Sequence, residues 1–289
     1  MSGLILVLVL FSAALHPLRE FFIKGDSTPE GVTVAVNIWF GILAGLHVFI
    51  GGMDPWTAFE VWPMMLLSGV GLLLFYSCIV ATMRSGDLSI YYPITRSSPL
   101  FVVVFSYLVL GQSYSWMMLG GIGMVLAGAF LLQYHPGARK LSDPTTLILA
   151  TFAMCIHGVI TLADAEAVRN VEPAVYMFVM YLFVVPAMAF VLSFKRPISR
   201  SLYRHLFVGW IETPGRFAVA GISAYVSYYL ILITFQLGAN VAAVSAVRQV
   251  SIPFSVLLGC LIYKEERMTA RLLWSALLAL GVIIIVSAK

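Results

Sequence analysis

The chain has 289 residues, of which 61% are hydrophobic and 10% charged, and its formal net charge is +4. A soluble domain carries about 25% charged residues, so this composition leaves too few charges for a water-exposed surface and argues against a soluble fold. The basic residues lie in short connections between apolar stretches, so the net charge reflects membrane topology and does not indicate a nucleic-acid partner. The 3 cysteines are isolated within apolar stretches, which predicts neither a disulfide framework nor a metal site.

Hydropathy predicts an all-α membrane protein with ten transmembrane helices. A helix needs roughly 20 apolar residues to cross the hydrocarbon core, and the chain supplies such stretches almost back to back. The predicted spans are 3–23, 30–50, 61–83, 88–110, 114–133, 144–163, 173–194, 217–237, 240–263 and 270–288. Most Lys and Arg residues outside these spans lie on the side of the first connection, so the positive-inside rule puts that side in the cytoplasm and both termini outside.

The first two spans contain polar side chains that are candidates for a solute site. His16 titrates near neutrality and suits solute binding or proton transfer, although a core histidine with satisfied hydrogen bonds is the alternative. Arg19 and Glu20 follow one helical turn later and either pair with each other or face a cavity. Trp39 in the second span adds an aromatic ring with an N–H group, which generic helix packing also explains.

The fourth span begins with a polar motif around an arginine. Residues 91–99 read Tyr-Tyr-Pro-Ile-Thr-Arg-Ser-Ser-Pro, so Arg96 is surrounded by hydroxyl groups, with Tyr91 five positions earlier. A charged residue at membrane depth usually faces a cavity or a partner, and a planar guanidinium suits carboxylate or phosphonate oxygens. The alternative is a structural role in which a buried acid, Glu20 or Asp164, neutralises the arginine.

Similar side chains return in the later spans. His157 lies in the sixth span, Tyr228 in the eighth, and the ninth carries Arg248 followed directly by Gln249. Serines and a downstream proline surround Arg248, as they surround Arg96. Packing accounts for most tyrosines in such spans, so their repetition along the chain is what distinguishes them as site candidates.

An internal repeat selects among these candidates. A shift of 152 positions places Tyr76 on Tyr228 and Arg96 on Arg248, and a shift of 141 places His16 on His157. Each half, 1–140 and 141–289, holds five predicted spans, so the second half must enter the membrane from the opposite side. The sequence therefore predicts two inverted five-helix repeats with a site between them. The predicted depths place His16 with Arg96 and His157 with Arg248, as two basic clusters on either side of the midplane.

Three stretches carry a resemblance to a known family. Residues 12–16 (Ser-Ala-Ala-Leu-His) with Lys24, residues 86–96, and residues 244–251 with Lys264-Glu265 resemble the first, fourth and ninth spans of an EamA-type group in the drug/metabolite transporter superfamily. The resemblance covers essentially the whole chain and implies secondary transport through a central cavity, in a bacterial cytoplasmic (inner) membrane. The group often has Trp-Asn where this chain has Arg19-Glu20. Some close relatives are associated with phosphonate use.

These observations predict a secondary transporter for a small anionic or zwitterionic solute, such as an amino acid or an aminophosphonate-like metabolite, working by alternating access. The expected partners are this solute and the lipid bilayer, with protons as a coupling ion, no cofactor, and a monomeric or homodimeric state. The alternatives are an exporter of organic cations or drugs, and a non-transporting accessory or receptor protein. An enzyme is not expected, because Glu265-Glu266 and Arg271 miss the spacing of intramembrane proteases by one position. The predicted substrate-binding residues are Arg96, Arg248, His16, His157, Tyr76, Tyr228, Tyr91, Gln249, Arg19, Glu20 and Trp39.

Overall fold

The computed structural model describes residues 1–23, 29–85, 94–109, 111–133, 144–193, 207, 212–254 and 268–288, and the regular secondary structure within these ranges is helical. Short 3₁₀ segments occupy Pro55–Val61 and Arg248–Val250. The α-helices are α1 (Gly3–Ile23), α2 (Pro29–Ile50), α3 (Trp62–Ser85), α4 (Ser98–Leu108), α5 (Trp116–Gln133), α6 (Pro144–Ala167), α7 (Pro173–Ser193), α8 (Pro214–Gln236), α9 (Val241–Val247) and α10 (Met268–Ser287).

Each described α-helix overlaps one predicted span, and the helical structure confirms the all-α class. Five described segments are long and apolar enough to cross a membrane: Glu30–Ile50, Pro55–Thr82, Pro144–Ala167, Pro173–Leu192 and Pro214–Gln236. The described parts of the other predicted spans are shorter apolar helices. Many large apolar side chains are exposed on the perimeter, including Phe49 and Ile283. Such a surface suits contact with lipid chains rather than water.

Pairs of packed helices build the interior of the described part of the chain. α1 packs along α8, and α3 along α6. α2 packs on both α7 and α8, and α3 also contacts α7. α5 packs along α10, while α4 packs on α6 and α9. At the α5–α10 crossing a Cβ added to Gly281 would lie 2.8 Å from the carbonyl oxygen of Gly121, so these two backbones touch directly.

The tight turn between the eighth and ninth spans depends on a glycine and a cap. Gly238 has φ +78, a left-handed conformation that glycine adopts without a Cβ penalty. Asn240 then caps α9, since its side chain accepts a hydrogen bond from the Ala243 N–H at 3.0 Å. The turn therefore sends α9 directly back along the bundle.

The fourth and ninth spans are not the continuous helices that hydropathy predicted. Arg96 lies in a turn before α4, where the Ser97 N–H bonds the Ile94 carbonyl at 3.0 Å. Arg248 begins the 3₁₀ segment that follows α9. A downstream proline in each span removes a backbone donor and weakens the regular α-helical pattern. Hydropathy detects apolar length and does not detect such interruptions.

Candidate functional site

The two repeated arginines converge where α4 and α9 pack together. Arg96 donates from Nη1 to the Ser251 Oγ at 3.5 Å, and Ser251 lies three residues after Arg248. Both guanidinium-bearing residues are half-buried, and both lie at helix interruptions. Interrupted helices expose backbone groups in the bundle interior, which is tolerated where the backbone lines a site or is covered by protein.

His157 joins the arginines in this cluster. Its Nδ1 is 3.1 Å from the Oγ of Ser98, the first residue of α4. The positive charges of Arg96 and Arg248 both act on the imidazole. The sequence predicted His157 with Arg248, which the structure bears out, and Arg96 in a separate cluster with His16. The separation is wrong, because the packing of α4 on both α6 and α9 brings Arg96 to the same cluster.

A close helix contact fixes the position of His157. The neighbouring Gly158 lies so close to the Phe101 ring of α4 that a Cβ there would overlap the ring. The His157 ring also contacts Phe75 of α3, with ring centroids 5.2 Å apart. The missing side chain at Gly158 therefore lets α4 approach α6 and hold Ser98 against the imidazole.

Gln249 adds polar groups beside Arg248. Its side chain is buried, with 6% of its surface exposed, and its Nε2 donates weakly to the Ser245 carbonyl oxygen at 3.4 Å. Within the described part of the chain, the Gln249 Oε1 and the Ser245 Oγ are buried without a hydrogen-bond partner. Buried polar atoms are almost always paired, so these two atoms are available to a bound molecule.

A buried carboxylate lies about two helical turns beyond His157, near the C-terminal end of α6. Asp164 is 1% exposed, and its Oδ1 accepts hydrogen bonds from the Ser68 hydroxyl at 2.5 Å and the Tyr176 hydroxyl at 2.7 Å. The Tyr228 hydroxyl donates to its Oδ2. These contacts connect α3, α6, α7 and α8. The positive charge of Arg248 also acts on Asp164, so this network belongs electrostatically to the arginine cluster.

Aromatic rings surround the Asp164 network. Phe40 stacks on Tyr181 with centroids 4.1 Å apart and lies 5.8 Å from the Tyr228 ring. Nearby, the His47 Nδ1 is 2.7 Å from the Tyr225 hydroxyl oxygen. Aromatic walls with a few polar ends are typical of small-molecule sites. They also hold α2, α7 and α8 together, so the same rings serve packing.

Comparison with known proteins finds a family match for part of the chain. The EamA-like transporter family model matches residues 2–134, the part that contains α1 to α5. The match therefore covers a little less than half of the chain. The chain is 29% identical over 121 residues, 42% of its length, to the UDP-N-acetylglucosamine transporter UGNT1 of Arabidopsis thaliana. The matched stretch is only 28% of that relative's length. A solved crystal structure superimposes with a TM-score of 0.79, covering 98% of this chain and 96% of the other at 16% identity, which shows a shared fold.

The family match confirms the predicted resemblance over residues 2–134, and the matched family is one of transporters. The structure brings three of the predicted residues together as neighbours: Arg96, Arg248 and His157. Gln249 follows Arg248 within the same 3₁₀ segment. The repeated tyrosines differ, because Tyr228 binds Asp164 whereas Tyr76 lies edge-on to Phe75.

Other predicted residues lie apart from these contacts or outside the description. Trp39 packs so closely on Gly221 of α8 that a Cβ there would overlap it, which indicates a helix-packing role. His16 is half-buried on α1, the helix that contacts the Arg248–Val250 segment. Tyr91 lies outside the described residues, as do the side chains of Arg19 and Glu20.

The sequence reasoning missed the Asp164 network as a site. Asp164 was considered only as an acid that might neutralise an arginine, because the sixth span was predicted to end at residue 163. In the structure α6 continues to Ala167 and carries Asp164 inside the bundle. An ionisable residue one position beyond a predicted span was the available signal, and a wider tolerance at the span end would have found it.

Proposed function

We propose that the chain is a secondary transporter for a small anionic or zwitterionic solute, of the amino acid or aminophosphonate-like kind. The observation that carries the proposal is the convergence of Arg96 and Arg248 at two helix interruptions inside the bundle. Arginine keeps its proton under ordinary conditions and presents a fork of donors to carboxylate or phosphonate oxygens. Two such groups in one place favour an anionic group on the solute and repel a lipophilic cation.

The neighbouring groups complete a plausible binding surface for such a solute. His157 lies beside the arginines, and the Gln249 Oε1 and Ser245 Oγ offer polar atoms without partners in the described residues. A carbonyl oxygen accepts a hydrogen bond from an ammonium or amide donor. The surface therefore offers positive charge for the anion and an acceptor for an amino group, which is the pattern of a zwitterion.

Alternating access is proposed through two inverted repeats, 1–140 and 141–289. Exchanging each helix with the one five places later converts the α1–α8 pair into α6–α3, and the α2–α8 pair into α7–α3. The pairs α2–α7, α4–α9 and α5–α10 convert into themselves. Every one of these pairs is packed in the structure. This correspondence supports a pseudo-two-fold relation between the halves, with the arginine cluster on the α4–α9 pair that the exchange maps onto itself.

A nucleotide sugar is the second candidate substrate. The Arabidopsis relative is a UDP-N-acetylglucosamine transporter by name, and a diphosphate is an anion that paired arginines suit. The relative matches 42% of this chain, and that stretch is less than half of either protein. A nucleotide sugar is therefore tested as a separate probe in the transport experiment.

The experiment is uptake into proteoliposomes that contain the full chain. The radiolabelled probes are 2-aminoethylphosphonate, alanine, UDP-N-acetylglucosamine and choline, and the variants are Arg96→Gln and Arg248→Gln. A charged hydrogen bond contributes about 1.5–3 kcal/mol, so each variant should lower kcat/KM for the transported anion by roughly 10–100-fold. Arg169→Gln is the matched control, because Arg169 is exposed and pairs with Glu166 at 2.8 Å.

Three outcomes would contradict the proposal in different ways. Saturable anion flux that both substitutions leave unchanged would remove the arginines from the site. A strong preference for choline would favour an exporter of organic cations. Failure of every probe to move, with or without a pH gradient, would favour a non-transporting accessory or receptor protein.

A further inference from the structure

Asp164 combines deep burial with a hydrogen-bond environment made of hydroxyl groups. It is 1% exposed, and its two carboxylate oxygens accept bonds from Ser68, Tyr176 and Tyr228. A buried carboxylate that serves only to hold helices together is commonly paired with a cation in direct contact. The three groups that donate hydrogen bonds to Asp164 are neutral hydroxyls. None of them is a counter-ion that would hold the carboxylate in its ionised form.

Hydroxyl partners suit a group that changes its protonation state. Each hydroxyl can donate one hydrogen bond and can also accept hydrogen bonds through its lone pairs. When Asp164 is ionised, all three hydroxyls donate to it, as the geometry here shows. When Asp164 takes up a proton, its own O–H can donate to one hydroxyl oxygen, and Ser68 can turn its hydrogen to a carbonyl of the preceding turn of α3. The polar groups of the network therefore have hydrogen-bond partners in both protonation states of Asp164, and no helix has to move.

The network lies close to one end of the bundle. Asp164 is three residues before the end of α6, and Tyr176 is three residues after the start of α7. Ser68 lies in the second turn of α3. This end carries the connection between α6 and α7, which the positive-inside count places outside the cytoplasm. A proton from that side has less than two helical turns to travel to the carboxylate.

Arg248 links this carboxylate to the arginine cluster. His157, which lies beside the arginines, is seven residues before Asp164 on α6, so the two residues share a helix face about 10 Å apart along the axis, and the positive charge of Arg248 reaches both. An anion bound at Arg248 offsets that positive potential, which makes a negative charge at Asp164 less favourable and favours the protonated form. Because linkage is reciprocal, a proton on Asp164 favours binding of the anion by the same factor.

We propose that Asp164 is a proton-binding site that couples solute binding at Arg248 to the movement of one proton in the same direction. This inference rests on the proposed transport function and names its coupling ion. The proton arrives from water, resides on a carboxylate oxygen of Asp164, and returns to water when the solute leaves. The ionised carboxylate and the solute-free Arg248 then balance one another electrostatically during the return step.

Other ionisable groups face Asp164 without replacing it in this role. Arg248 is a permanent cation under ordinary conditions, and the Nδ1 of His157 contacts the Ser98 hydroxyl of α4 rather than the Asp164 network. Across the described elements packed on α6, the charged or titratable neighbours of this network are Tyr176 and Tyr181 on α7, Tyr228 on α8, Arg248 in the 3₁₀ segment, Arg96 before α4 and His157 on α6 itself.

The first test measures proton binding without any solute. Infrared pH titration of the full chain in nanodiscs follows the carbonyl band of protonated carboxyl groups. Asp164→Asn should remove one titrating band. The matched control Glu166→Gln changes an exposed acid two residues further on, which pairs with Arg169 at 2.8 Å, and it should keep that band. Identical titrations of the wild type and Asp164→Asn would overturn the proposal.

A second variant covers the case in which Asp164→Asn fails to fold. Tyr228→Phe keeps the carboxyl group and the ring but removes one hydrogen bond that favours the ionised form. The midpoint of the Asp164 band should therefore move to higher pH by about one unit or more. An unchanged midpoint would contradict the role of the hydroxyl network.

The second test measures coupling with 2-aminoethylphosphonate as the probe in proteoliposomes. Asp164→Asn should lose accumulation driven by a pH gradient while it retains exchange of the probe at equal pH, because asparagine mimics the protonated state. Accumulation that still follows the gradient in Asp164→Asn would overturn the proposal. If the infrared band depends on Asp164 and no probe moves in the wild type, the proton site is supported and the proposed substrate class is the part that fails.

Discussion

Gly158 provides a direct test of how α4 is held against the candidate site. A Cβ at this position would overlap the Phe101 ring, which itself stacks on Phe105 with centroids 5.6 Å apart. Gly158→Ala must therefore push the ring or the whole of α4 away from α6. Such a movement would also lengthen the contact between Ser98 and His157, now 3.1 Å.

The magnitude follows from two opposing terms. Overpacking a filled interior costs about 1–3 kcal/mol, whereas replacing glycine by alanine within a helix stabilises it by about 1 kcal/mol. Gly123→Ala isolates the second term, because nothing lies within 4 Å of a Cβ there. The two variants should therefore differ by the overpacking term, about 1–3 kcal/mol, which corresponds to roughly 2–10 °C in Tm for a chain of this size.

The assay is thermal unfolding of the purified chain in one detergent, followed by tryptophan fluorescence. Gly158→Ala should unfold at a lower temperature than Gly123→Ala, and adding Phe101→Leu should recover most of the difference by opening space. Equal unfolding temperatures for the two alanine variants would refute the reasoning about this contact. A double variant that is less stable than Gly158→Ala would assign the effect to some other part of α6.

Two further predictions concern hydrogen bonds between helices. Ser12 and Ser227 each donate a hydrogen bond to the other's backbone carbonyl, at 2.7 and 2.9 Å. Either alanine variant should therefore lower the free energy of unfolding by about 1 kcal/mol. In a thermal double-mutant cycle, the double variant should lose less than the sum of the two single losses. Tyr225→Phe removes the hydroxyl that lies 2.7 Å from the His47 Nδ1 but keeps the stacked ring, so it should cost about 1 kcal/mol, whereas Tyr107→Phe on the exposed surface should cost nothing measurable.

Controls for this pair of predictions come from the same unfolding measurements. Ser287→Ala removes an exposed serine that bonds only within its own helix, at 2.8 Å to the Ile283 carbonyl oxygen. It should be close to neutral. Additive losses for Ser12 and Ser227 would show that the two bonds do not act as one unit.

The helices could be predicted from the sequence because apolar length is a strong local signal. α2 occupies Pro29–Ile50 against a predicted 30–50, and α7 occupies Pro173–Ser193 against 173–194. The interruptions at Arg96 and Arg248 were not predicted, because a turn and a continuous helix of the same length have the same hydropathy. They depend on where proline removes a donor and on which neighbouring helix covers the exposed backbone.

Among the site residues, too, some could be predicted from the sequence and others could not. Arg96, Arg248 and His157 were predicted as candidates from charge and repetition, and their depths placed His157 with Arg248. The approach of Arg96 to that pair was not predicted, because it depends on how closely α4 approaches both α6 and α9. Ser68 and Tyr176 carry no sequence signal, since serine and tyrosine are ordinary in apolar helices. They became visible only when folding placed their hydroxyls on a carboxylate.

The carboxylate of the Asp164 network has no counterpart in the first half of the chain. The shift of 141 relates Asp164 to Ile23, and the shift of 152 relates Ser68 to Ala220. In a carrier built from two inverted repeats, the inward-open and outward-open states have equal free energies only if the two repeats make equivalent contacts. The positions related to Asp164 and Ser68 carry apolar side chains, whereas Tyr228 corresponds to Tyr76. Under the proposed alternating-access mechanism, the arrangement in which this network closes the end of α6 is therefore the more stable one, because only one repeat supplies the carboxylate that the hydroxyl groups bind.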